Sequence, residues 1–198
     1  CGKGMHDKCR DGVLASSMSE KQKGRCVMCR TKYPEADKET VEQLRPWVEK
    51  GKAWAQCMLG SMYSRGEGVK QSYQRAAELY ELSASQGFAS AQHNLGVMYS
   101  KGQGVDQSYE RAKECYEAAA RQGYSNAQYN LGSMYDHGQR GVDQSYERAA
   151  EYYEAAATQG NVSAQYNLGF LYYNGLLGFE QSNEIAREWW IKAAEQEH

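Results

Sequence analysis

The feature that most narrows what this chain can fold into is a period. The dipeptide Leu-Gly recurs with its glycine at Gly60, Gly96, Gly132 and Gly169, at spacings of 36, 36 and 37 residues. The text around it recurs too. Residues 91–123 read AQHNLGVMYSKGQGVDQSYERAKECYEAAARQG, and near copies lie on either side. A unit of that length cannot bury its own apolar face, so neighbours must stack to make a continuous core, which is the logic of an α-solenoid. The 41% hydrophobic and 24% charged content is that of a folded rather than a disordered chain.

Four units follow from the period: 53–88, 89–124, 125–161 and 162–198. Each has a first helix of pattern AQxxLGxxY, a glycine-rich turn and a second helix of pattern QSYERAxEYYEAAAxQG. Ala91, Leu95, Met98 and Tyr99 share one helical face. Glycine within a helix costs about 1 kcal/mol relative to alanine, so its recurrence at Gly96 and its counterparts predicts a helix crossing too close for a side chain. Ser72, Ser108, Ser145 and Ser182 are the expected N-caps of the second helices. Tyr80, Tyr116, Tyr153 and Trp190 are expected to fill the space between units. Residues 35–52 are expected to form a linker and capping helix, with Leu44, Trp47 and Val48 covering the apolar end of the stack. Pro46 predicts a kink or break in that helix.

This pattern resembles the Sel1-like repeat, a relative of the tetratricopeptide repeat. The match rests on A-x3-LG-x2-Y, the glycine turn and the AA-x-QG ending or its remnant, recurring across residues 53–198. Departures are small: serine stands for the usual aspartate cap, arginine for lysine at Arg75, Arg111 and Arg148, and tyrosine often for tryptophan. The resemblance implies an all-α superhelix of helical hairpins whose first helices line a concave face, used as an adaptor for protein or peptide partners.

The first 34 residues are built differently. They carry a net charge of +5, leaving −7 for the remainder. An excess this small is read as a solvated surface, and the overall charge of −2 argues against a nucleic-acid binder. Four of the six cysteines fall here, giving Cys1, His6, Cys9, Cys26 and Cys29. His6-x2-Cys9 and Cys26-x2-Cys29 have the two-residue spacing with which a tight turn grips a tetrahedral zinc ion. The alternative is a set of buried thiols, but so short a segment with few large apolar side chains needs a staple. Cysteine usage that spans no disulfide ladder favours a reducing compartment, cytoplasmic or nuclear.

CGKGMHDKCRDGVLASSMS…CVMCR also resembles the second half of a RING finger. On that resemblance Cys1 is the third ligand, His6 and Cys9 the fifth and sixth, and Cys26 and Cys29 the last pair. His6 and Cys9 would then share an ion with an upstream C-x2-C pair not in this sequence, and Lys3 stands where a fourth ligand is expected. Two geometries stay open: the interleaved RING pattern, or one ion closed by His6, Cys9, Cys26 and Cys29. The resemblance further implies a ubiquitin-conjugating enzyme as partner and ubiquitin-ligase activity in protein quality control, with Arg30 at the position of a ubiquitin-contacting arginine. Val27 in place of the docking proline and the absence of a tryptophan from GVLASSMS point the other way. The reading is therefore an adaptor with a zinc-binding appendage, the ligase being the alternative.

No catalytic constellation emerges from the repeats. His93 and His137 lie in different units, and GEGV, GQGV and GQRGV lack the Lys-Ser/Thr of a phosphate loop. Cys57 and Cys115 read as small packing residues. No apolar run approaches the ~18 residues that span a bilayer, so no membrane insertion is expected. A candidate site comes instead from comparing the units. Columns shared by all units are expected to be structural, and columns that differ are free to specialise. Three variable columns of the first helix form one stripe. It runs Cys57, Ser61, Ser64; His93, Val97, Ser100; Tyr129, Ser133, Asp136; and Tyr166, Phe170, Tyr173, becoming aromatic toward the C-terminal side. Tyrosine-rich grooves suit peptide and protein recognition, and unselected drift on a solvated face is the competing account.

Overall fold

The computed structural model describes residues 25–26, 30–31, 38–138, 141–176 and 181–196. Strands β1 (Arg25–Cys26) and β2 (Arg30–Thr31) form a two-residue parallel pairing. Among the described residues everything else regular is helix: α1 (Lys38–Glu49), α2 (Ala53–Arg65), α3 (Tyr73–Ser85), α4 (Ala89–Lys101), α5 (Tyr109–Ala120), α6 (Ser125–His137), α7 (Tyr146–Ala157), α8 (Val162–Asn174) and α9 (Asn183–Ala194). The chain divides into two compact units, Cys1–Leu79 and Tyr80–His198.

In the first unit α1 packs on α2. Val41 and Leu44 are buried with Ala55, Leu59 and Met62, and Trp47, Val48 and Trp54 close over them. The indoles of Trp47 and Trp54 stand 5.8 Å apart. Leu44, Trp47 and Val48, expected to cover an apolar end, thus pack against α2. Of the kink or break expected at Pro46, the break does not occur: α1 runs through it to Glu49. Pro46 is exposed and falls in the last turn, so the lost N–H costs one bond at a fraying, solvated end and nothing in the core.

In the second unit α4 to α9 pack each on the next, giving the hairpins α4–α5, α6–α7 and α8–α9. Local chemistry explains the repeat. Each first helix ends on a glycine in the left-handed region, as at Gly102 (φ 66°), whose N–H returns to the Met98 carbonyl. The loop then folds back: Gln107 Nε2 donates to the Ser100 carbonyl at 2.8 Å and to the Tyr109 hydroxyl at 2.8 Å. Gln144 repeats the clasp on Asp136 and Tyr146. Ser108, Ser145 and Ser182 each accept from a backbone N–H of the following turn, so the expected caps form. A second clasp ties each hairpin's open end, with Gln122 on Gln92 at 2.8 Å, Gln159 on Gln128 at 2.7 Å and Gln196 on Gln165 at 2.8 Å.

The helix-interior glycines behave as their recurrence implies. A Cβ built on Gly96 would lie 2.7 Å from Tyr116 Cε1, one on Gly132 would lie 2.6 Å from Tyr153 Cδ1, and one on Gly169 would lie 2.6 Å from Trp190 Nε1. This corrects one detail. Tyr116, Tyr153 and Trp190 seat against the first helix of their own hairpin, and contact with the next hairpin is made by the hydroxyl of Tyr153, which accepts from Asn167 at 3.1 Å. A flat ring needs the backbone of the facing helix as its floor, and only glycine supplies that.

Candidate functional site

The variable stripe is carried by α2 in the first unit and by α4, α6 and α8 in the second. On α2, Cys57 is buried, while Ser64 Oγ donates to the Ser61 carbonyl and Arg65 reaches Ser61 Oγ, both at 2.8 Å. That end of the stripe is engaged in its own helix.

On α4, His93 is a built-in structural group. Its ring lies 5.8 Å from Tyr116 and 5.2 Å from Tyr124. Nδ1 faces Asn94 Oδ1 at 3.2 Å, and Nε2 faces Asn130 Nδ2, on the next hairpin, at 3.1 Å. Those amide partners suit a neutral ring with its proton on Nδ1. Burial lowers its pKa below the ordinary 6.5, and the Asn94 hydrogen bond opposes this. Val97 and Ser100 are half-buried, and Ser100 Oγ donates to the Val97 carbonyl.

On α6, Tyr129 lies 5.8 Å from Tyr153. Asp136 accepts from the Tyr153 hydroxyl at 3.1 Å. Burial first, then the charge of Asp136, pushes the Tyr153 pKa up, so this hydroxyl is a fixed donor. The Ser133 carbonyl accepts from His137 Nδ1 at 2.9 Å.

On α8 the stripe opens to solvent. Tyr166 is 58% exposed, Phe170 48% and Tyr173 46%, whereas their counterparts on α4 and α6 are half-buried. Trp190 underlies them: its Nε1 donates to the Tyr166 carbonyl at 3.1 Å, and its ring stands 6.3 Å from Tyr166 and 5.6 Å from Tyr173. The stripe is therefore of two kinds. His93, Tyr129 and Asp136 are tied to the second helix or to the next hairpin, while Phe170 and its neighbours present apolar surface outward. Sequence reasoning missed the asparagines Asn130 and Asn167, which bridge successive hairpins. Their signal was an asparagine standing before three of the four Leu-Gly pairs, at Asn94, Asn130 and Asn167.

Among the described residues no three His, Cys, Asp or Glu side chains come together as a metal site. Burial pushes the Cys115 thiol up to about 11, leaving it protonated and unreactive at neutral pH. Cys1, His6, Cys9 and Cys29 lie outside the described residues, and Cys26 and Arg30 enter only through the backbone pairing of β1 and β2. No helix among the described residues is long and apolar enough to cross a membrane.

These hairpins are those of known proteins. A protective antigen present in uropathogenic Escherichia coli strains, displaying an SLR fold, is 37% identical, with a TM-score of 0.73 over 79% of this chain and 33% of its own. A Sel1 repeat protein from Oxalobacter formigenes is 32% identical, with a TM-score of 0.69 over 74% of this chain and 57% of its own. The alignments thus take in only about a third of the first protein and just over half of the second. A putative Sel1 repeat protein from Klebsiella pneumoniae shares the fold at 20% identity, with a TM-score of 0.59 over 98% and 96% of the two chains. No curated protein matches the chain. The Sel1 repeat is a non-catalytic scaffold fold whose solenoid of helical hairpins suits protein–protein interaction. Residues 55–88, 89–124, 125–161 and 162–198 each match the Sel1 repeat, and the chain belongs to that family.

Proposed function

We propose that the chain is an adaptor that docks a protein or peptide segment along the variable stripe of its first helices. Tyr129, Tyr166 and Phe170 are the anchors, with Val97, Ser133 and Tyr173 beside them and His93 and Asp136 holding the floor. The observation that carries this reading is the exposure of three large aromatic side chains on α8. Aromatic anchors typically contribute ~2 kcal/mol or more each in an interface. The test is affinity capture with the Tyr129→Ala, Phe170→Ala double variant. The expected result is loss of the partners retained by the wild-type chain, at unchanged helical content. Unchanged recovery would remove the stripe from the account.

The zinc reading is part of the same proposal. Cys1, His6, Cys9, Cys26 and Cys29 are soft or borderline donors at knuckle spacing, a set suited to holding zinc as a structural ion. Metal analysis of the purified protein should return at least one zinc per chain, reduced by Cys26→Ser, and a metal-free, folded preparation would refute it. Cysteine usage that spans no disulfide ladder is the support for the reducing compartment, cytoplasmic or nuclear, proposed for the protein. The alternative function is a RING-type ubiquitin ligase in protein quality control whose repeats recruit substrate. It is favoured by the position of Arg30 directly after Cys29. Accelerated ubiquitin discharge from a conjugating enzyme, lost in Arg30→Ala, would establish the ligase, and silence would leave the adaptor.

A further inference from the structure

The two joints between successive hairpins of the second unit share a design and differ in one group. Where α4–α5 meets α6–α7, Asn130 Nδ2 on α6 faces His93 Nε2 at 3.1 Å, and the same amide bonds the Tyr116 hydroxyl. Where α6–α7 meets α8–α9, Asn167 Nδ2 donates to the Tyr153 hydroxyl at 3.1 Å, and Tyr129 takes the place of the imidazole. The two rings sit alike: His93 is 5.8 Å from Tyr116, and Tyr129 is 5.8 Å from Tyr153. Only the imidazole is of a type that gains a proton near neutral pH. His137, the other imidazole among the described residues, is exposed and bonded within its own helix.

The surroundings of His93 suit a neutral ring and oppose a charged one. From its own helix it meets Asn94 Oδ1 at 3.2 Å, and from α6 the amide of Asn130. From α5 it meets the ring of Tyr116, whose neighbour Cys115 burial keeps as a thiol, and from the turn before α6 the ring of Tyr124. Burial and the Asn94 bond act on its titration, and no carboxylate or cation does. A second ring proton would turn Nε2 into a donor aimed at a donor. Asn130 can present its carbonyl instead only by withdrawing its N–H from Tyr116 as well. In an opened joint water accepts both ring protons and solvates the charge.

We propose that His93 makes the joint between α4–α5 and α6–α7 an acid-sensitive hinge: a proton on the ring breaks the Asn130 contact and lets these two hairpins part, while the joint between α6–α7 and α8–α9 stays closed. The direction follows from linkage. Burial sets the folded pKa below the ordinary 6.5, so closure is fully favoured above 6.5 and loses ground as pH falls toward the folded value. One proton taken up per opening raises the open fraction about tenfold per pH unit across that window. The hinge needs no partner on the stripe and is independent of the peptide-docking reading.

Hydrogen exchange of the full chain, read by mass spectrometry between about pH 7.5 and about pH 5 with intrinsic rates corrected, tests it. Amides of α5 and α6, which pack across the joint, should show opening that rises about threefold or more beyond that of α8 and α9. His93→Tyr, which places the residue of the Tyr129 column there, should keep the fold and remove the excess. Asn130→Asp should remove it too, by giving the imidazolium a carboxylate partner. An equal rise in all these helices overturns the proposal, since the ring would then titrate only on global unfolding. So does an excess that persists in His93→Tyr or is undiminished in Asn130→Asp.

Discussion

At the scale of the residue, glycine and tyrosine act as one device. Tyr153 is fully buried, its hydroxyl held by Asp136 and Asn167 and its ring laid on Gly132. Helix propensity alone would make Gly132→Ala stabilising by about 1 kcal/mol. The added methyl must instead displace a ring pinned at both ends, at a cost of about 1–3 kcal/mol. Urea unfolding should therefore show a net loss of stability, and a stabilised variant would contradict the close-approach account. His93 makes a second prediction. Its folded pKa lies below the unfolded 6.5, so its contribution is fully present above 6.5 and is lost as pH falls toward the folded value. Between about pH 7.5 and about pH 5, the wild-type chain should lose more stability than His93→Tyr, which places the residue of the Tyr129 column there. Equal losses would show that the ring is not held neutral.

At the scale of the element, most of the fold was legible because each signal contradicted its surroundings. A glycine in a helix, a serine before one and a glycine after one have few readings, and Gly132, Ser145 and Gly102 all took the expected one. The break at Pro46 did not follow because a proline's effect depends on whether its turn is solvated, which spacing does not encode. Gln107 and Gln144 were visible as a column but silent, since glutamine carries no local geometry until the loop has folded onto it. The stripe was half legible. Comparing repeats found the variable columns, yet nothing in them tells that His93 turns into the joint with the next hairpin while Phe170 stays in solvent. That depends on Asn130, a partner from the following hairpin that the spacing within one unit does not reveal.

At the scale of the whole molecule, the family supplies a scaffold and the departures between its copies supply the specialised surfaces. The helical hairpins are set by what the units share. The surfaces on which they differ follow from what they do not: His93, Tyr129 and Tyr166 share one column, Val97, Ser133 and Phe170 another, and Ile191 breaks a column of glutamates. The segment bearing Cys1, His6, Cys9 and Cys29 carries the soft and borderline donors proposed to hold zinc. The central claim is that partners engage the first-helix stripe, and site-specific photocrosslinking tests it most directly. A photoreactive phenylalanine analogue at Phe170 should capture a partner protein, while the same group at Glu188, exposed on α9, should capture none. Capture at Glu188 with none at Phe170 would contradict the account.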